Sequence, residues 1–217
     1  MFVILPETHR VISEKLYDEI RMYQGVNLNK EKLLWYSVAP DFLPKYKLHR
    51  HYREESLRYV ILLIIQLIGY GRKHSITTTD NQKSINQFSK QLGVISHFLS
   101  DFVTLPHAQR KTYNDSMSEH MQYEKGLNEY VREHEFSSMS KTINLVPQQG
   151  KSHLLYSTIK SQLTRIFNEY DNAEQGFETD LNFALDINCQ VMNFAMGCID
   201  ATLAPVNQYA LTPLMSI

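Results

Sequence analysis

Apolar residues recur every three or four positions along most of this chain, the period of a helix buried on one face rather than the alternation of a strand. Ile12, Leu16 and Ile20 form the first stripe, with Thr8 as a candidate N-cap and Gly25 as a stop. His9 stands three residues before Ile12 and falls on the same inward stripe. The segment LLWYSVAPDFLPKYKLHRHY carries two prolines and reads as a loop between helices, bearing Asp41, His49 and His51. The most apolar run, YVILLIIQLIGY (Tyr59–Tyr70), belongs to a helix predicted from Glu54 to Gly69. A polar turn then leads into a helix from about Asn81 to Phe102, capped by Thr79 or Asp80, with Pro106 as the stop. Ser116 and Glu119 have the spacing of a capping box and open a helix toward Glu135. SSMSKTINLVPQQGKS is the longest loop-like stretch. Leu155, Ile159 and Ile166 mark a helix over His153–Tyr170, and Leu181, Leu185, Met192, Ala195 and Ile199 mark another over Glu178–Leu203. No strand pairs or internal repeats emerge. The pattern predicts six or so helices in one all-α domain over residues 1–217.

Composition narrows the function. The 217 residues are 43% hydrophobic and 21% charged, ample for one core. The net charge of −1 leaves no basic surplus to grip a nucleic-acid backbone, so no stable nucleic-acid partner is expected. Cys189 and Cys198 point to different faces of one predicted helix and read as small buried apolar residues, not a disulfide. The start, MFVILPETH, lacks the basic and apolar regions of a secretory signal. The Tyr59–Tyr70 run falls short of the roughly 18–20 residues that span a bilayer. A soluble, cytoplasmic protein without a transmembrane segment is the expectation.

The chemistry concentrates in one stretch. His97 and Asp101 are an i, i+4 pair and share a helix face. His107 follows just past Pro106, and His120 and Glu124 form a second i, i+4 pair. The whole pattern is H-x3-D-x5-H-x12-H-x3-E, five potential ligands within 28 residues. Either pair alone carries little weight, since solvent-facing helices make such contacts often. Here, however, the first helix is apolar around its pair (Val94, Ile95, Phe98, Leu99, Phe102), and a buried carboxylate needs a partner or a metal. Imidazole with carboxylate and no thiolate suits zinc or another first-row divalent ion in a hydrolytic site. No His-Asp dipeptide and no Glu-x-x-His occurs, which argues against an HD phosphohydrolase and a ferritin-like di-iron bundle.

SHFLSDFVTLPH followed by EHMQYE resembles the bacterial zinc-dependent phospholipases C, relatives of the single-strand-specific zinc nucleases. Glu124, where the nuclease branch typically has Asp, resembles the phospholipase branch. The likeness reaches back to His9 in THRVI, Asp41 in WYSVAPD, and His51 in HYREES, where Tyr52 supplies the aromatic that follows the family's histidine; His49 is the neighbour with which His51 could be confused. The resemblance implies an all-α fold and a zinc cluster. Asp41, His51, His97 and Asp101 would hold one zinc, and His107, His120 and Glu124 a second. Asp101 would bridge to a third zinc shared with His9, and Asp41 would double as a proton acceptor. Exported members complete the third site with the α-amine and carbonyl of an N-terminal tryptophan. This chain starts with Met1, and its single Trp is Trp35. The third site is thus absent, completed by water, or served by the Met1 amine.

The implied function is a zinc-dependent phosphoester hydrolase, a phospholipase C-like phosphodiesterase with two or three Zn2+ ions acting on a phosphoester such as a phospholipid. The alternatives are a zinc nuclease and a non-catalytic helical module that keeps the cluster for stability. Trp35, Tyr36 and Phe42 flank Asp41 and are the aromatics to consider for a substrate wall, though ordinary packing would explain them. His74, His134 and His153 read as solvated or capping histidines.

Overall fold

The apolar stripes fold into nine α-helices among the residues described by the computed structural model, which are 6–24, 26–46, 48–109, 117–137 and 152–200; no strand occurs among them. They are α1 (Pro6–Gln24), α2 (Lys30–Tyr36), α3 (Ala39–Phe42), α4 (Arg53–Lys73), α5 (Gln82–Asp101), α6 (Leu105–Ala108), α7 (Met117–Tyr130), α8 (Ser152–Asp171) and α9 (Phe177–Asp200). A single 3₁₀ turn, Pro44–Tyr46, follows α3.

Helix α5 is the axis of the fold. It packs against α1, α2, α3, α4 and α9, and every residue from Leu92 to Asp101 is buried. A helix enclosed on all sides must satisfy its polar side chains internally. Ser89 and Ser100 donate to the carbonyls of Ile85 and Ser96, both at 2.8 Å, and Ser96 meets Ser13 of α1 at 3.2 Å. Asn188 of α9 donates to the Ser100 hydroxyl at 3.1 Å. Helix α4 behaves differently: Val60, Ile61, Ile64, Leu67 and Ile68 face the core, while Leu62 is 43% exposed. It is amphipathic, and no helix among the described residues is long and apolar enough to cross a membrane.

The stretch expected to be a loop holds two helices. Asn29 caps α2 by accepting from the Lys32 amide at 3.0 Å, and its own amide donates to Ser89 of α5 at 2.9 Å. Helix α2 then lies so close to α5 that a Cβ on Gly93 would come within 2.6 Å of the Leu33 carbonyl oxygen. Pro40 sits in the first turn of α3, where a missing amide hydrogen costs nothing. Two prolines therefore start and bound short helical turns rather than excluding helix.

Other boundaries moved by a few residues. Helix α1 begins at Pro6, so Thr8 lies in its first turn instead of capping it; the Thr8 amide donates to Asn128 of α7 at 3.3 Å. Asn81, not Thr79 or Asp80, caps α5, accepting from Lys83 and Ser84. Pro106 does not terminate α5, which ends at Asp101; it sits instead at the start of α6. Gly25, Ser116, residues 138–151 and Leu203 lie outside the described residues.

Candidate metal centre

The last turn of α5 points His97 and Asp101 into the interior, where both are fully buried. His97 is fixed by a backbone group. Its Nδ1–H donates to the carbonyl of Ser37, the C-cap of α2, at 2.9 Å. A carbonyl only accepts, so this contact settles the tautomer and leaves the Nε2 lone pair facing inward. The close approach of α2 to α5 over Gly93 thus sets the orientation of a site residue one turn away.

Around that nitrogen the N-terminal residues converge. Asp41, in α3, puts Oδ1 at 3.5 Å from His97 Nε2 and 3.7 Å from His51 Nδ1. His97 Nε2 is 3.3 Å from Asp101 Oδ2 and 3.3 Å from His51 Nδ1. His51 Nδ1 also comes to 2.8 Å from Asp101 Oδ2, near enough for a hydrogen bond but not aligned as one. His9, buried on α1, sits 3.3 Å from the other oxygen, Asp101 Oδ1. The two Asp101 oxygens therefore face different imidazoles, Oδ2 toward His51 and His97 and Oδ1 toward His9. His49 is elsewhere, stacked on the Tyr59 ring at 3.6 Å. That separates it from His51, which the sequence left as neighbours.

A second group lies alongside. His107 is held by α6, and His120 and Glu124 stand one turn apart on α7. Glu124 Oε1 is 2.6 Å from His120 Nε2 and 3.6 Å from His107 Nε2. The groups adjoin: the His51 and His107 ring centres are 6.2 Å apart. All eight residues proposed from the sequence fall within this continuous cluster. Three sets within it bring ligand atoms close enough to share an ion: His9–Asp41–His97, His51–His97–Asp101 and His107–His120–Glu124.

Burial is the first influence on every shifted group of the site. Burial, and after it the charge of Asp101, pushes the Asp41 carboxyl up to about 8. Burial would also raise Asp101, but His97, His107 and His9 outweigh it and hold it well below the carboxylate range. In Glu124 burial is likewise outweighed, by His107 and His120, and the carboxyl is lowered. Burial, then the charge of His9, drives His97 far down, so its imidazole is neutral. Burial would lower His51 too, but Asp101 and Asp41 outweigh it and raise it.

Several of these atoms have no hydrogen-bond partner although they are buried: both nitrogens of His9 and His107, Asp41 Oδ2, and both oxygens of Asp101. Buried polar atoms are nearly always paired, and leaving one unpaired costs about 1–3 kcal/mol or more. Unpaired carboxylate oxygens and one acceptor nitrogen on each of two imidazoles, converging from α1, α3, α5 and α6, fit a divalent cation, and for this donor set zinc.

Some contributors carried no sequence signal. Ser37 acts through its backbone carbonyl, and Asn128 and Asp180 are single polar residues on otherwise apolar or mixed helices. Trp35 and Phe42 are 54% and 48% exposed, so core packing does not explain them. Tyr36 does pack against the core. His134 is not merely solvated, since its Nε2 pairs with Asn182 Oδ1 at 2.9 Å; the side chain of His153 lies outside the described residues.

A family model described as zinc dependent phospholipase C matches residues 8–177, a span that includes all eight site residues. The chain belongs to that family. Comparison with curated proteins and with solved structures returned no match.

Proposed function

From membership of the zinc-dependent phospholipase C family, which makes this chain a zinc-dependent hydrolase at the level of the family, we propose that it cleaves a phosphodiester and that the buried cluster is its active site. The observation that carries the proposal is the set of buried, unpartnered imidazole and carboxylate atoms, close enough together to share a cation. Asp41, His51, His97 and Asp101 would hold one zinc, and His107, His120 and Glu124 would hold a second. His9 and Asp101 would serve a third; Met1, whose amine is the further ligand considered for it, lies outside the described residues.

Bound zinc supplies a Lewis acid for phosphoryl oxygens and lowers the pKa of a water. The protein supplies orientation. Ser37 fixes the His97 tautomer, α6 presents His107, and the His120–Glu124 pair is set by helical spacing. Asp41 accepts the proton released as water attacks phosphorus, and that proton passes to the oxygen of the leaving alcohol as its bond to phosphorus breaks. Support for a lipid as substrate comes from the segment around Asp41: Trp35, Phe42 and Leu48 are 54%, 48% and 87% exposed, a concentration of exposed apolar side chains that suits an amphiphile or its surface.

The test is hydrolysis of a chromogenic phosphodiester by purified protein, before and after chelation and after zinc is restored. Activity that disappears with chelator and returns with zinc is the expected result. Full zinc with no turnover on lipid, nucleotide or generic phosphodiester would replace this reading with a structural role for the cluster.

A further inference from the structure

Asp180 lies in the first turn of α9 and is fully buried. It belongs to none of the ligand sets, yet its two oxygens are engaged by three elements. Oδ1 accepts from the Tyr170 hydroxyl of α8 at 2.7 Å. Oδ2 accepts from the Leu105 amide and from the Tyr123 hydroxyl, both at 2.9 Å. Leu105 is the first residue of α6, two before His107. Tyr123 directly precedes Glu124 and follows His120 by three on α7.

The first amide of a helix has no partner within the helix and needs one from outside. For α6 the residue placed to serve is Thr104, which makes no side-chain cap. Its hydroxyl donates instead to the Asp101 carbonyl at 3.0 Å. A carboxylate from α9, 75 residues away in sequence, takes that role. A four-residue helix has little stability of its own, so the direction of α6, and with it the placement of His107, depends on what holds its start. The same carboxylate oxygen pins α7 beside Glu124.

We infer that Asp180 is the positioning residue of the His107–His120–Glu124 set: it holds α6 and α7 at the mutual distance at which their three ligand atoms converge. The inference rests on the reading of that set as a zinc site. It assigns to Asp180 no contact with metal or substrate.

The test is a chelator-competition titration of zinc on the intact protein, following each binding step in wild type, His120→Ala, Asp180→Asn and Tyr123→Phe. His120→Ala identifies the step that belongs to this set. Asp180→Asn keeps the volume but offers a single acceptor oxygen to three donors, and should weaken that same step about 10- to 100-fold, the range for residues that orient ligands, while leaving the other step within about twofold. Tyr123→Phe removes one donor and should weaken the step about fivefold, which keeps the test alive where Asp180→Asn folds poorly. Val191→Ala, a buried change in the same helix beside Ile64 of α4 and Ile159 of α8, should cost stability without separating the steps. If His120→Ala abolishes no step, the zinc-site reading itself fails. If His120→Ala abolishes a step that Asp180→Asn and Tyr123→Phe leave unchanged, or if Val191→Ala weakens the same step equally, the positioning role alone is overturned.

Discussion

Two fully buried aspartates make opposite arrangements with their surroundings. Asp180 is enclosed by three aligned donors, two hydroxyls and one amide. Asp101 has no aligned donor on either oxygen, though three imidazoles surround it. A structural carboxylate is satisfied by the protein that buries it; a ligand is left unsatisfied by its own fold and completed from outside. Burial alone therefore does not identify a metal ligand. Convergence of several residues without aligned donors marks a candidate site, and Glu124, which is hydrogen-bonded to His120 at 2.6 Å, belongs to it by position rather than by that criterion.

The largest expected effect breaks the open member of the pair. Asp101→Asn should remove more zinc than His9→Ala, as read by elemental analysis, because its two oxygens face different imidazoles of the cluster. With it should go the stabilisation that bound metal contributes, ~3 kcal/mol for zinc at 100-fold over its dissociation constant. Equal zinc loss in the two variants would remove the bridging role of Asp101.

Next is Gly93→Ala, which acts on the cluster from outside. The new Cβ meets the Leu33 carbonyl oxygen at 2.6 Å and Tyr36 at 2.9 Å, mostly backbone that cannot rotate away. A loss of about 1–3 kcal/mol is expected in denaturant unfolding, with weaker zinc binding because the Ser37 carbonyl that orients His97 shifts with α2. Unchanged stability would mean that α2 can retreat freely.

The closed member has its own signature in pH. Burial, set against the donors from Tyr170, Leu105 and Tyr123, raises Asp180 to about 6 from an ordinary 3.8. The folded protein then binds this proton more tightly than the unfolded chain does. The stability it contributes is complete below pH ~4 and is lost as pH rises through ~6, by up to ~3 kcal/mol. Asn does not titrate, so the deficit of Asp180→Asn relative to wild type should shrink from pH 4 to 7, measured by unfolding with zinc in constant excess. A deficit that grows with pH would mean that the three donors outweigh burial.

The smallest effect is a control. His49→Ala removes a half-buried ring stacked on Tyr59 and should leave zinc content unchanged, whereas His51→Ala should lower it. Equal effects would reopen the assignment between the two.

The sequence made the long helices and the candidate ligands legible because both obey periodic or spaced patterns. The apolar stripes of α4, α5 and α9 extend over many turns, and i, i+4 spacing alone places His97 beside Asp101 and His120 beside Glu124. Helix α2 was hidden because seven residues are too few for a periodic signal and the following prolines suggested a loop; what holds it is Asn29 and the missing Cβ of Gly93. His51 could be separated from His49 only by three-dimensional position. Asp180 looked like any acidic residue in a helix's first turn, where the macrodipole favours it, and its partners lie 10, 57 and 75 residues away.

The converging imidazoles and carboxylates of this interior should carry zinc in the protein as purified. Elemental analysis of the purified protein, at neutral pH and without added chelator, tests this most directly. Two or more zinc ions per chain are expected; less than one equivalent of any divalent metal would mean that the cluster is not a metal site.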